Sequence, residues 1–305
     1  MTRRIVVLAA AGLVLAAVLT VQAKQRQTEA RAPVDTPSTD GLRFSRISLS
    51  TGIELHVAES GPANGRPVLF LHGFPDSWFS YSNILSNLPK NVRAIVPSQR
   101  GHGDSDRPEC CYHIPDFARD AVALLDALGI ERADVIGHSM GSFVAQRVAS
   151  DHPERIGQLV LIGSSTSPAS KPIVEFSSAV QSLSDPISLE FAREFQVGTA
   201  YQPVDSAYMD RLVAESMKIP ARVWRGVMAG LVAADARTDL SRIKARTLIV
   251  WGEHDALFGA EDQQALRGAL SHARFISYKD LGHSPFWEDP ARVAADLAKF
   301  LSEAR

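Results

Sequence analysis

At 305 residues, with 45% apolar and 22% charged side chains, the chain has the composition of a soluble globular protein. It is long enough for one large domain, or for a core domain carrying a substantial insertion. A formal charge of -2 removes the electrostatic basis for binding nucleic acid or a strongly acidic partner, and no fixed-period repeat suggests a solenoid.

The N-terminus reads as a targeting segment. Arg3 and Arg4 precede an almost wholly apolar run from Ile5 to Val21, and Val21-Gln22-Ala23 supplies the small residues of a signal-peptidase site. The expectation is an exported, periplasmic or extracellular protein with residues 1–23 as a cleaved signal peptide. The alternative is an uncleaved membrane anchor, since the run just reaches the lower limit of a span, about 17 residues. Residues 24–40 are polar and hold Pro33 and Pro37, the composition of a flexible tether.

From residue 43 short apolar runs alternate with helical periods. Phe44 to Leu49 and Ile53 to Ala58 form a strand pair around Thr51-Gly52. Pro67 to Leu71 is a buried strand, Trp78 to Leu88 a helix, and Val92 to Pro97 a strand. Cys110 and Cys111 follow. Adjacent Cα atoms lie only ~3.8 Å apart, closer than most disulfides span, so two loop thiols are expected. With only His113 nearby they make no metal site.

Pro115 to Leu128 places Phe117, Ala121, Leu124, Leu125 and Leu128 on one helical face. Val135-Ile136 is a short strand running directly into a helix that carries Phe143, Val144, Val148 and Ala149. Strands follow at Leu159 to Ile162, Thr247 to Trp251 and Arg274 to Tyr278, and Ala291 to Leu301 is the closing helix. Such alternation implies an α/β fold with a mostly parallel central sheet flanked by helices. The stretch between Ile162 and Thr247 lacks a clear strand. A structureless loop of that length is improbable, so residues 166–240 are expected to form an inserted helical cap on a core of residues 41–165 and 241–305.

Gly137-His138-Ser139-Met140-Gly141 fits G-x-S-x-G. A sharp strand-to-helix turn lifts the serine oxygen clear of the sheet, and small residues are needed where the backbone passes close to itself. A strand before and an amphipathic helix after make Ser139 the candidate nucleophile. With these residues the chain resembles the α/β-hydrolase superfamily, in the branch of esterases, lactonases, epoxide hydrolases and cofactor-free haloperoxidases. His72-Gly73-Phe74-Pro75 resembles that branch's H-G-x-P oxyanion loop, and Arg100-Gly101-His102-Gly103 its R-G-x-G turn; Ser98 stands where the family often has Asp.

The resemblance implies the order serine, acid, histidine. It points to Asp255, in Gly252-Glu253-His254-Asp255, as the acid, with Glu253 and Asp262 as alternatives. His283 is the base, because it follows the last strand whereas His272 precedes it. In that scheme His283 takes the proton of Ser139 as it attacks a carbonyl carbon, and Asp255 fixes the imidazole. The backbone N–H groups of Phe74 and Met140 receive the oxyanion, each worth about 3 to 4 kcal/mol. No metal or organic cofactor is required.

Ser139 rather than Asp at the nucleophile position argues for acyl chemistry over epoxide or halide chemistry. The substrate expected is a small-to-medium, largely apolar ester or lactone. Trp224, Met228 and Phe286 are candidates for its pocket, unless, like Phe176, Phe191, Phe195, Met209 and Met217, they form the cap's own core. Arg193, Arg211, Arg222 and Arg225 belong on solvated helix faces or hold a substrate carboxylate. Perhydrolysis and C–C bond hydrolysis on the same triad, and a ligand-binding module of the same fold, are the rival readings. No nucleic acid and no stable membrane association after signal cleavage are expected.

Overall fold

A computed structural model describes residues 41–233 and 237–303; the expected signal peptide and tether lie outside them. The strands β5 (Ala133–His138) and β6 (Ile156–Ile162) are buried along their whole length, which is why Val135-Ile136 and Leu159 to Ile162 read as short continuous apolar runs rather than as an alternation. They sit at the middle of an eight-stranded sheet of order β1-β2-β4-β3-β5-β6-β7-β8. Its other members are β1 (Arg43–Ser48), β2 (Glu54–Ser60), β3 (Arg66–Leu71), β4 (Val92–Pro97), β7 (Arg246–Gly252) and β8 (Arg274–Tyr278). Only β1 and β2 run antiparallel to their neighbours. The parallel arrangement of β3 to β8 brings the loops leaving their carboxyl ends to one edge of the sheet.

Two helices differ from expectation. The stretch after Ser77 makes one 3-10 turn (Trp78–Tyr81) and a four-residue helix, α1 (Ser82–Leu85), instead of running to Leu88. Ser86 and Asn87 are weak helix formers and Pro89 follows directly. Conversely α8 (Ala260–Ala269) has too polar a face to stand out in the sequence; Asp262 starts it by accepting the Gly259 N–H at 2.9 Å. The remaining core helices are α2 (Ile114–Ala127), α3 (Met140–Asp151), α9 (Pro285–Glu288) and α10 (Pro290–Ser302).

Cys110 and Cys111 are joined in a disulfide, not held as the two thiols expected from their adjacency. The turn that allows it puts Cys111 at φ 74°, in the left-handed region. The Cys111 carbonyl accepts a hydrogen bond from Arg100 Nη1 at 2.6 Å, and the rest of that guanidinium grips Asp120 of α2 through two bonds of 2.5 and 2.7 Å. Ser98 lies against the same turn: a Cβ on Gly103 would meet its side chain, and its hydroxyl accepts the Trp78 N–H at 3.3 Å.

Between β6 and β7 lie four helices: α4 (Lys171–Val180), α5 (Leu189–Gly198), α6 (Ser206–Ser216) and α7 (Ala221–Val232). Phe176, Phe191, Phe195 and Trp224 meet ring to ring among them. The four arginines raised above are bonded within the protein: Arg193 to Asp210, Arg211 to Glu215, Arg222 to the carbonyls of Arg107 and Pro108, and Arg225 to the Leu183 carbonyl. The inserted helices are fastened to the core by buried polar contacts. Tyr208 donates to the Ser80 carbonyl at 2.5 Å, and Gln196 Nε2 donates to both Asp76 Oδ1 and Ser216 Oγ at 2.9 Å. Among the described residues no helix is long and apolar enough to cross a membrane.

Asp76 is the costly member of that joint. Burial raises its pKa to about 7, and the bond from Gln196 only partly offsets this. In the unfolded chain a carboxyl ionises near pH ~4. The native state therefore binds the extra proton across that interval, and stability falls as pH rises from 4 to 7 and then levels. Asp76→Asn keeps the acceptor and removes the charge. Its stability relative to the wild type, measured by urea unfolding, should improve between pH 4 and 7 by on the order of a few kcal/mol and stay level above. An offset independent of pH would contradict this assignment.

Candidate active site

Ser139 links the end of β5 to the start of α3 at φ 51° and ψ -122°, a conformation that costs a non-glycine residue on the order of 1–3 kcal/mol and must be held by its surroundings. The holding is visible on both sides. The Ser139 N–H donates to the Ile162 carbonyl at 3.0 Å, and its own carbonyl accepts from the Ser142 N–H and hydroxyl at 2.8 and 2.6 Å. A Cβ on Gly137 would collide with the Gly141 backbone, and one on Gly141 with the Leu71 carbonyl. Both glycines of the motif are thus required by close backbone approach. Met140 opens α3, so its N–H belongs to the first turn, whose donors have no acceptor within the helix.

The His72–Pro75 loop leaves β3 beside this turn. A Cβ on Gly73 would stand 3.1 Å from Ser139 Cβ and 2.9 Å from His138 Nδ1, so the loop backbone lies directly against the elbow. Its start is pinned by His72. Nε2 of that ring accepts the Gln99 N–H at 2.9 Å, which leaves Nδ1–H to donate to the Gly73 carbonyl at 2.8 Å. Burial pushes the His72 pKa well below the usual imidazole range, so the ring is neutral. The Phe74 ring meets Trp224 edge-on, 4.7 Å between centroids.

Asp255 follows β7. Its Oδ1 accepts the N–H groups of Leu257 and Phe258 at 2.8 and 3.0 Å, and its Oδ2 receives His283 Nδ1 at 2.8 Å. Of the carboxylates considered at this position, Glu253 instead accepts from the Ser277 hydroxyl and Asp262 starts α8. The His283 side chain is only 2% exposed. The backbone N–H of His283 donates to the Thr199 carbonyl at 3.0 Å, and its ring packs against Gly163, where a Cβ would come within 2.9 Å. Nε2 of His283 is buried with no hydrogen-bond partner. His272, by contrast, bonds the Ala245 carbonyl before β7, at the opposite edge of the sheet.

His138 supports this arrangement from behind. Its Nε2 lies 3.1 Å from the His283 carbonyl, which can only accept, so that nitrogen carries the hydrogen. Burial and the neighbouring His283 lower the His138 pKa well below the normal range. Phe286 is wholly buried between His138 and Tyr81, with centroids 4.9 Å from each. Met228 is buried in α7, and Trp224 of the same helix is the pocket candidate that touches the His72–Pro75 loop, through Phe74.

Sequence reading missed several participants. Thr199 and Gln196, at the end of α5, reach the histidine loop and Asp76 respectively. Glu288, buried at the end of α9, accepts the Gly282 N–H at 2.8 Å and the N–H groups of Gln202 and Tyr201 at 2.6 and 3.1 Å. None of these carries a spacing signal, because their partners are backbone groups or residues far off in the chain.

Comparison with known proteins agrees with this geometry. A family model described as alpha/beta hydrolase fold matches residues 66–200. The chain is 28% identical over 290 residues to 2-hydroxymuconate semialdehyde hydrolase of Pseudomonas sp. (strain CF600), covering 90% of this chain and 97% of the relative. It is 28% identical over 272 residues to a non-heme chloroperoxidase of Streptomyces lividans, covering 84% and 98%. A solved hydrolase from Pseudomonas aeruginosa PA01 superposes with a TM-score of 0.76 at 26% identity, covering 86% of this chain and 99% of that one. With the elbow, the sheet order and these relatives together, the chain has the α/β-hydrolase fold and is a serine-type hydrolase of that fold.

Proposed function

We propose that this protein is an exported serine hydrolase that cleaves a small-to-medium, largely apolar carboxylic ester or lactone through an acyl-enzyme on Ser139. The observation that carries the reading is the state of the His283 ring. Its Nδ1 is committed to Asp255 at 2.8 Å, while Nε2 has no partner in the protein. A carboxylate can only accept, so Nδ1 carries the hydrogen and the Nε2 lone pair is open to the Ser139 proton.

Ser139 attacks the carbonyl carbon as its proton passes to Nε2, and the imidazolium formed is stabilised by Asp255. The negative oxygen is received by the N–H groups of Phe74, in the loop against the elbow, and of Met140, at the positive end of α3. The alcohol leaves with the proton from His283. Water then loses a proton to the same nitrogen as it attacks the acyl carbonyl. The bond to Ser139 breaks with return of that proton to its oxygen and release of the carboxylic acid. The Phe74 and Trp224 rings beside the oxyanion loop support an apolar substrate, and the leader Arg3 to Ala23 supports export. Likeness to the chloroperoxidase favours peroxide as an alternative to water in the second half-reaction.

The test is turnover of a panel of aryl and alkyl esters and lactones by the chain from residue 24 onward. Ser139→Ala should lower kcat roughly 10⁶-fold. Asp255→Asn, which leaves the packing but reverses the preferred tautomer, should lower it roughly 10⁴-fold with little change in KM. Either variant turning over substrate at the wild-type rate would remove the proposed mechanism. Faster product formation with peroxide than with water alone would move the reaction to perhydrolysis.

A further inference from the structure

We propose that Glu288 is a positioning residue for His283, acting through the backbone of the histidine loop and of the segment that ends α5. This rests on the reading of His283 as the general base given above. The side chain is 4% exposed, and both its oxygens are occupied by backbone donors. Oε1 accepts the N–H of Gly282, the residue next to His283, and Oε2 accepts the N–H groups of Tyr201 and Gln202. One carboxylate therefore bridges the histidine loop and the inserted helices.

The bridged segment touches the site at three further points. The Thr199 carbonyl takes the N–H of His283 itself at 3.0 Å. The Tyr201 ring stacks on His254, the neighbour of Asp255, with centroids 3.6 Å apart. Gln202 Nε2 donates to the Asp280 carbonyl, before the loop, at 2.9 Å. The three parts meet in contact: a Cβ on Gly282 would lie 2.7 Å from the Tyr201 nitrogen and 3.0 Å from Glu288 Oε1. Loss of the carboxylate leaves three N–H groups, one buried and two partly buried, without this acceptor, and the loop must move to satisfy them. A displacement of about 1 Å at a catalytic group is enough to cost on the order of 10²-fold in rate.

The charge of Glu288 matters as well as its reach. Burial raises its pKa to about 7, with Asp255 adding to the rise and the three N–H groups holding it down. The other titratable groups around it are His283 on the loop it binds, His254 under Tyr201, and Asp289 next in the chain. Protonation of Glu288 turns one acceptor into a hydroxyl facing an N–H, so the grip on the loop weakens as pH falls through 7. Loss of activity on the acid side then includes a contribution from Glu288.

The experiment follows the rate at which a fluorophosphonate reacts with Ser139, from pH 5 to 9, in the wild type and in Glu288→Gln, with thermal unfolding as a check on folding. The amide cannot accept at both ends. The variant should label about tenfold or more slowly at pH 8, and its acid limb should reduce to a single protonation where the wild type shows two. A wild-type rate or an unchanged acid limb in Glu288→Gln would overturn the proposal and leave the triad reading standing. Failure of the wild type to label at Ser139 would remove that reading and this proposal with it. If the variant does not fold, the wild-type limb decides: two protonations support the role and one refutes it.

Discussion

A single backbone conformation organises the rest of the molecule: Ser139 held at φ 51° where β5 turns into α3. The Ser139 side chain makes no capping bond to its own helix, so the geometry is imposed by its neighbours. The fully buried β5 and β6 fix its position through the bond from Ser139 to the Ile162 carbonyl, and Ser142 ties down the other side. The close approach of Gly137, Gly141, Leu71 and Gly73 leaves no room for the chain to relax. The strain is offset by the sheet core, and what it gains is a hydroxyl at the sheet edge together with the free N–H groups of a helix start.

The histidine side is held differently, by polar contacts rather than close packing. Asp255, the Thr199 carbonyl, His138 and the Glu288 bridge grip the loop at successive atoms, and two of these partners belong to or bind the segment closing α5. Gln196 of the same helix reaches Asp76, just past the oxyanion loop. The inserted helices are thus bonded to both loops on which the proposed chemistry depends. The insertion and the arrangement of the site are therefore coupled by hydrogen bonds.

Much of the fold was legible in the sequence because parallel strands buried on both faces leave short apolar runs that punctuation separates cleanly. The elbow was legible for the same reason that it is strained: few residue types tolerate the backbone, so the glycines mark it. The order of serine, acid and histidine implied by the resemblance, with the strand ends, led to Asp255 and His283, whose side chains meet at 2.8 Å. What stayed hidden depends on contacts without a period. Asp76 and Glu288 carry no spacing signal that marks them, yet both are buried, each bonded to a partner in the inserted segment. The disulfide of Cys110 and Cys111 rests on a left-handed turn that residue spacing does not announce. Phe286 reads as a pocket residue by its nearness to His283, but its ring is enclosed between Tyr81 and His138.

The most direct measurement is peptide mapping by mass spectrometry after exposing the folded protein to a fluorophosphonate, with Ser139→Ala alongside. An adduct on Ser139 alone, absent from the variant, is the result expected of a serine activated by His283 and Asp255. A folded wild type that carries no adduct, or carries it on another residue, would contradict the account.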